Sequence, residues 1–198
     1  MIDFLDPQKG KVREQYGKKS SLIGIFVNVF LFIIKFAVGT LFHSVAVVAD
    51  AVNSLADAGS SVISLISFKL SSKPADEKHP FGHERIEYIA SSVVAVFILL
   101  LGIELLKTSF NKIVRPDEIE FSFVVVGVLL FSIAAKLWLY GFNIKLAKRI
   151  DSSMLRATAA DSLSDVLATS SVLLSTILSP LLGFQLDGYV GILVSVFI

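Results

Sequence analysis

The chain of 198 residues contains no cysteine and only three histidines. The absence of cysteine excludes a disulfide framework, a zinc–thiolate site and a thiol nucleophile. Charged residues make up 18% of the chain and its formal net charge is +1, so nothing in the composition indicates binding to nucleic acid or another polyanion. Hydrophobic residues make up 54% and fall in long blocks, which predicts an integral membrane protein.

Apolar runs of about 20 residues predict where the chain crosses the membrane. The sixth and last run has only about 11 residues, or about 16 Å of helix, which is too short to cross. We therefore expect an all-α membrane protein, a six-transmembrane-helix bundle whose sixth helix is truncated. Residues 1–19 would form a cytoplasmic N-terminal segment, and residues 20–198 the transmembrane domain. The expected spans are approximately 20–42, 44–68, 86–106, 121–142, 154–178 and 188–198.

The distribution of Lys and Arg predicts the orientation of these spans. With the N-terminus in the cytoplasm, thirteen of the 18 basic residues lie in cytoplasmic segments and three lie in outer segments. Because the cytoplasmic loops of membrane proteins carry the excess of positive charge, we expect a cytoplasmic N-terminus and a multi-pass protein of the cell membrane. The two remaining basic residues, Lys35 and Lys136, lie within spans.

Two pairs of polar residues interrupt the apolar spans at similar depth. Asn53 and Asp57 lie in the second span, and Asp161 and Asp165 lie in the fifth. Each pair has i, i+4 spacing, which places its members on one helix face about 6 Å apart. Ionisable residues inside a membrane are costly and usually mark an ion pathway, and secondary transporters place ion sites near the bilayer midplane. We therefore expect these four residues to form one site for a divalent cation.

The ligands of this expected site would all be oxygen atoms, from three carboxylates and one amide. Oxygen ligands suit Mg²⁺, Ca²⁺ and Mn²⁺, whereas imidazole and thiolate suit zinc and copper. No histidine lies in the middle of a span, which argues against a tetrahedral zinc site, although zinc also accepts carboxylates. Asp50, one turn before Asn53, is a candidate for a group that supports the ligands or lines the ion path.

The same carboxylates also admit a purely structural interpretation. Lys35 and Lys136 lie within the first and fourth spans, where lysines either extend towards the membrane surface or pair with carboxylates. Pairing would make the carboxylates a means of holding the helices together. We favour the cation site because buried carboxylates are a costly way to stabilise a helix bundle.

A second candidate metal site lies in the loop between the second and third spans. Asp76, His79 and His83 are close together in this loop, with proline and glycine between them. A cluster of His and Asp at short spacing can bind a transition metal. A solvated loop without metal is at least as good an interpretation of the local sequence.

Four segments of the chain carry recognisable motifs, which are SVAVVADAVNSLAD (44–57), KPADEKHPFGH (73–83), ADSLSD (160–165) and LDGYVG (186–191). In combination they resemble the cation diffusion facilitator family of divalent-metal efflux transporters. The resemblance implies six membrane helices, export of metal in exchange for protons, and a homodimer. It also implies a transport site built from the second and fifth spans, which falls on Asn53, Asp57, Asp161 and Asp165.

The resemblance has further implications around this transport site. Some family members have a second, loop site that matches Asp76, His79 and His83. Arg85 matches a basic position that helps to lock the dimer through a charge pair in related members. Family members usually carry a cytoplasmic domain after the sixth span, and we expect that domain to be absent from this chain.

The ligand set resembles one branch of the family in particular. Zinc-type members have a histidine in one of the two helix pairs, whereas the positions here are Asn53 and Asp161, as in the bacterial manganese-exporting branch. We therefore predict a divalent metal efflux transporter, not an enzyme, which exports Mn²⁺ in exchange for protons by alternating access and needs no cofactor. The alternatives are transport of Zn²⁺, Fe²⁺, Co²⁺ or Cd²⁺ by the same site, and a membrane scaffold or sensor that binds metal without moving it.

Overall fold

The structure is a computed structural model that describes residues 7–42, 45–72, 83, 85–114, 122–182, 189, 192–193 and 195–196. In this part of the chain the regular structure is entirely helical, which confirms the predicted all-α class. Five long helices account for most of it. They are α1 (Pro7–Leu41), α2 (Val45–Ser71), α3 (Arg85–Val114), α4 (Phe123–Ile150) and α5 (Ser153–Leu182).

Four of these helices are long and apolar enough to cross a membrane, namely Val12–Leu41, Val47–Ser71, Arg85–Val114 and Phe123–Ile150. Helix α5 carries the two aspartates Asp161 and Asp165 and many Ser and Thr residues. These polar side chains lie largely inside the bundle, so that α5 does not have to be apolar on every face. The buried Ser and Thr residues of α5 are Thr158, Ser162, Thr169, Ser171, Ser175 and Thr176.

The helix ends differ from the predicted span ends. Helix α1 begins at Pro7 instead of near residue 20, and α3 and α4 continue to Val114 and Ile150, well beyond the predicted 106 and 142. The apolar run marks only the part of a helix that contacts lipid, whereas helical hydrogen bonding continues into water until the chain turns. The sixth expected span falls largely outside the described residues, so the six-helix count and the N-terminal orientation stay predictions.

Helices α1 and α2 approach each other closely because small residues lie in their contact. A Cβ atom at Gly24 would lie 2.8 Å from Ser61 Oγ, and one at Gly17 would overlap the ring of Phe68. Small residues permit this kind of close backbone approach between membrane helices. The contact fixes the position of α2, which supplies half of the expected metal site.

Helices α1, α3 and α5 begin at the same end of the bundle, which we call the Glu87 end. There Arg13 forms a salt bridge of 2.7 Å with the buried Glu87. Ser152 Oγ donates to the other oxygen of Glu87 over 2.5 Å and accepts the N–H of Leu155, which caps the start of α5. The described residues therefore close this end. An apolar cluster adds to the closure and consists of Phe68, Ala90, Val94, Ala147, Met154 and Leu155.

Candidate metal centre

The structure brings together the three carboxylates that the sequence analysis selected. Asp57 extends from α2, and Asp161 and Asp165 extend from α5. Each offers an oxygen atom, and these atoms all lie within 4.8 Å of one another. The three residues are 1%, 7% and 5% exposed, respectively. The i, i+4 spacing explains the position of the two aspartates on α5, because it places them on one face, one turn apart.

Asn53, the fourth expected ligand, reaches the same cluster through its amide nitrogen. Its Nδ2 atom donates to Asp165 Oδ1 over 2.6 Å, which links α2 to α5. An amide group has an oxygen on its other branch, and a half-turn about its last side-chain bond would present that oxygen instead. The structure therefore places all four expected residues in one group, with the amide turned towards a carboxylate.

Lys136 is a fifth member of this group and comes from α4. Its Nζ atom lies 2.7 Å from Asp57 Oδ2 and 2.6 Å from Asp165 Oδ2, and the residue is 1% exposed. Of the two sequence-based interpretations of this lysine, the structure shows pairing with carboxylates. The sequence analysis predicted a site built from two spans, and it did not predict a contribution from α4. A lysine deep in an apolar span was the only signal for it.

Asp50 belongs to a separate cluster near the start of α2. Its carboxylate lies 2.8 Å from the Nζ atom of Lys35, which also donates to Ser54 Oγ over 3.1 Å. Thr169 on α5 donates to Asp50 Oδ1 over 3.2 Å. Asp50 is therefore bonded to its own lysine and does not support the expected ligands directly.

A cavity of about 570 Å³ leads from the carboxylates between α2, α3 and α5. Asn53, Asp161 and Asp165 line its deep part. Along α3 the lining begins at Ile98 and ends at Lys112, so the cavity extends away from the Glu87 end. We call the opposite end, which includes Glu104, the Glu104 end. Among the described residues, the cavity therefore reaches the carboxylate group from the Glu104 end, away from the contacts around Glu87.

The expected loop site is only partly within the described residues. Asp76 and His79 lie outside them, and His83 lies just before α3, where its carbonyl oxygen accepts the N–H of Ile86 over 3.0 Å. Arg85, the residue expected to support a dimer, is the first residue of α3. The loop site and the dimer contact stay predictions.

Comparison with known proteins identifies a protein family that matches most of this chain. The family model named "Cation efflux transmembrane domain" matches residues 21–198. An uncharacterized transporter of Methanocaldococcus jannaschii is 30% identical over 181 residues, which cover 91% of this chain and 64% of that protein. The manganese efflux system proteins MneS and MneP of Bacillus subtilis are 36% and 30% identical, over 75% and 84% of this chain and 51% and 56% of their own lengths.

The chain thus spans between 51% and 64% of the lengths of these three relatives. Their names are those of transporters and efflux proteins, which agrees with the prediction of a transporter and not an enzyme. Together with four helices that can cross a membrane, the match identifies a multi-pass membrane protein. The chain belongs to the cation efflux family, the cation diffusion facilitators that its sequence motifs resemble.

Proposed function

We propose that this chain moves a divalent metal cation, preferentially Mn²⁺, out of the cytoplasm in exchange for protons. The observation that carries the proposal is the group of three buried carboxylates, whose oxygen atoms lie within 4.8 Å of one another and two of which, Asp161 and Asp165, line the cavity. Buried carboxylates inside a membrane segment are costly and mark ion pathways. The metal is cargo in this proposal, and no resident cofactor is needed.

The distances between the carboxylates suit a hard divalent cation. Oxygen ligands lie about 2.1 to 2.4 Å from such ions, so two ligands on opposite sides of one ion are about 4.2 to 4.8 Å apart. One oxygen atom from each of the three carboxylates lies within this upper limit of the others. A turned amide of Asn53 would add a fourth oxygen, and a set of oxygen ligands favours Mn²⁺ over Zn²⁺. The similarity to two manganese efflux proteins of Bacillus subtilis supports the same metal.

The one-sided cavity supports transport by alternating access. With a cytoplasmic N-terminus, the Glu87 end faces the cytoplasm and the Glu104 end faces outwards. The conformation described here would then be the one that releases metal to the outside. To load metal from the cytoplasm, the bundle must close the cavity and open the Glu87 end, which requires the contacts of Arg13 and Ser152 with Glu87 to separate.

The chemistry of the ligands supports exchange for protons. A carboxylate must be deprotonated to bind a metal ion, so protons and metal compete for Asp57, Asp161 and Asp165. Protons arriving through the cavity would displace the metal, and loss of those protons to the cytoplasm would prepare the site again. Asn53 does not ionise, and it therefore contributes to selectivity and not to proton coupling. We extend the proposal to a homodimer of the chain in the membrane.

One observation favours a second candidate function. Lys136 bonds two of the three carboxylates, as in an interaction that only holds helices together. A membrane scaffold or sensor of this kind would bind little metal, or would bind it without moving it. Measurement of flux separates this candidate from the transporter.

The test is metal uptake into inside-out vesicles that contain the full chain, with Mn²⁺ and Zn²⁺ each supplied outside the vesicles. Vesicles that lack the protein serve as the control. We expect Mn²⁺ uptake to exceed Zn²⁺ uptake and to increase when the vesicle interior is acidic. Equal or faster Zn²⁺ uptake would contradict the metal preference, and uptake that ignores the pH gradient would contradict proton exchange. Binding of Mn²⁺ without uptake would favour the scaffold or sensor.

A further inference from the structure

Lys136 is the one charged member of the carboxylate group for which the proposed function has no use. Its ammonium group joins α4 to α2 through Asp57 and to α5 through Asp165. A buried ammonium at this depth needs carboxylate partners, because a charge inside the membrane without a partner is costly. Pairing explains why the lysine is stable in its place. It does not explain why three carboxylates surround one ammonium.

The contacts of Lys136 distinguish the two oxygen atoms of each carboxylate. Lys136 bonds Oδ2 of both Asp57 and Asp165, whereas Asp165 Oδ1 accepts the amide of Asn53. The Oδ1 atom of Asp57 is buried and has no hydrogen-bond partner among the described residues. An unpaired buried carboxylate oxygen is costly and therefore points to a ligand that binds it. The lysine holds each carboxylate by one oxygen, which leaves the other oxygen of Asp57 available to a cation.

The charges of the group point in the same direction. Three ionised carboxylates and one ammonium leave two negative charges. A divalent cation bound beside the ammonium would bring the buried charge to zero, whereas a trivalent cation would leave an excess positive charge in a medium of low dielectric constant. Without the ammonium, three negative charges would suit a trivalent cation better than they do now.

We infer that Lys136 is a positioning residue of the cation site that stays bonded to Asp57 and Asp165 while the metal is bound, and that it makes the site select divalent over trivalent cations. The inference rests on the proposed function, because it requires a cation site at these carboxylates. A different role for the same lysine is that of a tethered ammonium which the incoming metal displaces. The two roles predict different binding ratios.

Lys35 provides a matched control for this inference. It is as deeply buried as Lys136, with 1% of its surface exposed. It pairs with one carboxylate, that of Asp50, so its cluster carries no excess charge. The double substitution Lys35→Met/Asp50→Asn removes a buried ammonium from the same bundle without leaving Asp50 as an unpaired carboxylate, and it keeps the three-carboxylate group intact.

The experiment measures equilibrium binding of Mn²⁺ to the full chain in detergent, from the electron paramagnetic resonance signal of free Mn²⁺, with Tb³⁺ as the competitor. In Lys136→Met and Lys136→Gln we expect the ratio of Tb³⁺ affinity to Mn²⁺ affinity to rise by about tenfold or more. Loss of the ammonium makes the net charge of the site more negative by one unit, and this attracts a trivalent ion more strongly than a divalent ion. In Lys136→Arg and Lys35→Met/Asp50→Asn the ratio should stay within about threefold of the wild-type value, because the net charge around the cavity is unchanged.

If the ratio of Tb³⁺ to Mn²⁺ affinity stays within about threefold of the wild-type value in both neutral Lys136 variants, the inference is overturned. This holds even if Mn²⁺ binds more tightly, because an ammonium that the metal displaces competes with both ions alike. The full rise in Lys35→Met/Asp50→Asn would also overturn it, since the effect would then not be local. If neither neutral variant folds, Lys136→Arg still tests the inference, because a large rise in the ratio with the charge retained would overturn it. Two other results would contradict the proposed cation site itself. They are a wild-type chain that binds no Mn²⁺ and an Asp161→Asn variant that binds Mn²⁺ as well as the wild type.

Discussion

Lys35 and Lys136 are two equally buried lysines on neighbouring helices, and their surroundings differ in charge. Lys35 faces one carboxylate, that of Asp50, which also accepts a hydrogen bond from Thr169. Lys136 bonds two carboxylates and has a third beside them. We call these groups the Lys35 cluster and the Lys136 cluster. The first is neutral, and the second retains two negative charges when all its groups are ionised.

Position alone does not separate the two clusters. Asp50 lines the same cavity as Asp161 and Asp165, so a cation that enters from the Glu104 end would pass both clusters. A neutral pair offers such an ion no net attraction, whereas uncompensated negative charge in a low-dielectric site attracts it strongly. The comparison indicates that charge balance, more than burial, distinguishes a cargo site from a structural ion pair.

The largest effect should come from removing Asp161, the carboxylate of the Lys136 cluster that Lys136 does not bond. We expect Asp161→Ala to lower Mn²⁺ flux in vesicles by roughly 100-fold or more, because loss even of groups that only support metal ligands costs about 10- to 100-fold. The control is Glu104→Gln, which removes a carboxylate from the outer wall of the same cavity and should change flux by no more than about threefold. Equal losses in the two variants would mean that the cavity acts through its overall charge.

A smaller effect should come from changing the ligand type within the Lys136 cluster. We expect Asn53→His to raise the ratio of Zn²⁺ to Mn²⁺ transport by about tenfold, because imidazole suits zinc better than manganese. Asn53→Asp keeps oxygen at this position and should keep the preference for Mn²⁺. Unchanged zinc transport in the histidine variant would show that the ligand type at this position does not set the preference.

Much of the Lys136 cluster could be predicted from the sequence. The i, i+4 spacing places two polar residues on one helix face, and the distance from the span ends gives their depth, so the sequence predicts two pairs at matching depth that can converge. The contribution of Lys136 could not be predicted in the same way. Its contacts depend on how α4 is rotated and placed against α2 and α5, and the sequence of a single helix does not contain that relation.

The position of Asp50 shows the same limit at shorter range. Its spacing from Asn53 suggested a group that supports the ligands. Asp50 precedes Asp57 by seven residues, which places both on one face of α2 but about 10 Å apart along the axis. That distance brings Asp50 within reach of Lys35 instead of Lys136. Sequence spacing gives the face and the depth of a side chain, and the neighbouring helix decides its partner.

In the Lys35 cluster we expect a loss of stability without a change in metal preference. Lys35→Met should lower the free energy of unfolding by about 3 to 5 kcal/mol, because it leaves Asp50 as a buried carboxylate without its ammonium. The double variant Lys35→Met/Asp50→Asn should recover most of that loss, because no charge is then left unpaired. Unfolding can be followed by the fluorescence of Trp138, the one tryptophan of the chain. Equal stability of the single and double variants would show that the loss has another origin.

The smallest effect should come from Thr169→Val, which removes the hydroxyl that donates to Asp50. We expect a loss of about 1 kcal/mol in the free energy of unfolding, the usual contribution of one buried hydrogen bond, with Mn²⁺ flux within about twofold of the wild-type rate. Thr176→Val is the matched control, because its hydroxyl bonds a carbonyl of its own helix, that of Val172. A loss of flux in Thr169→Val comparable to that in Asp161→Ala would mean that the Lys35 cluster also takes part in transport. If the cluster is only structural, removal of a neutral hydroxyl from it should not affect the passage of the ion.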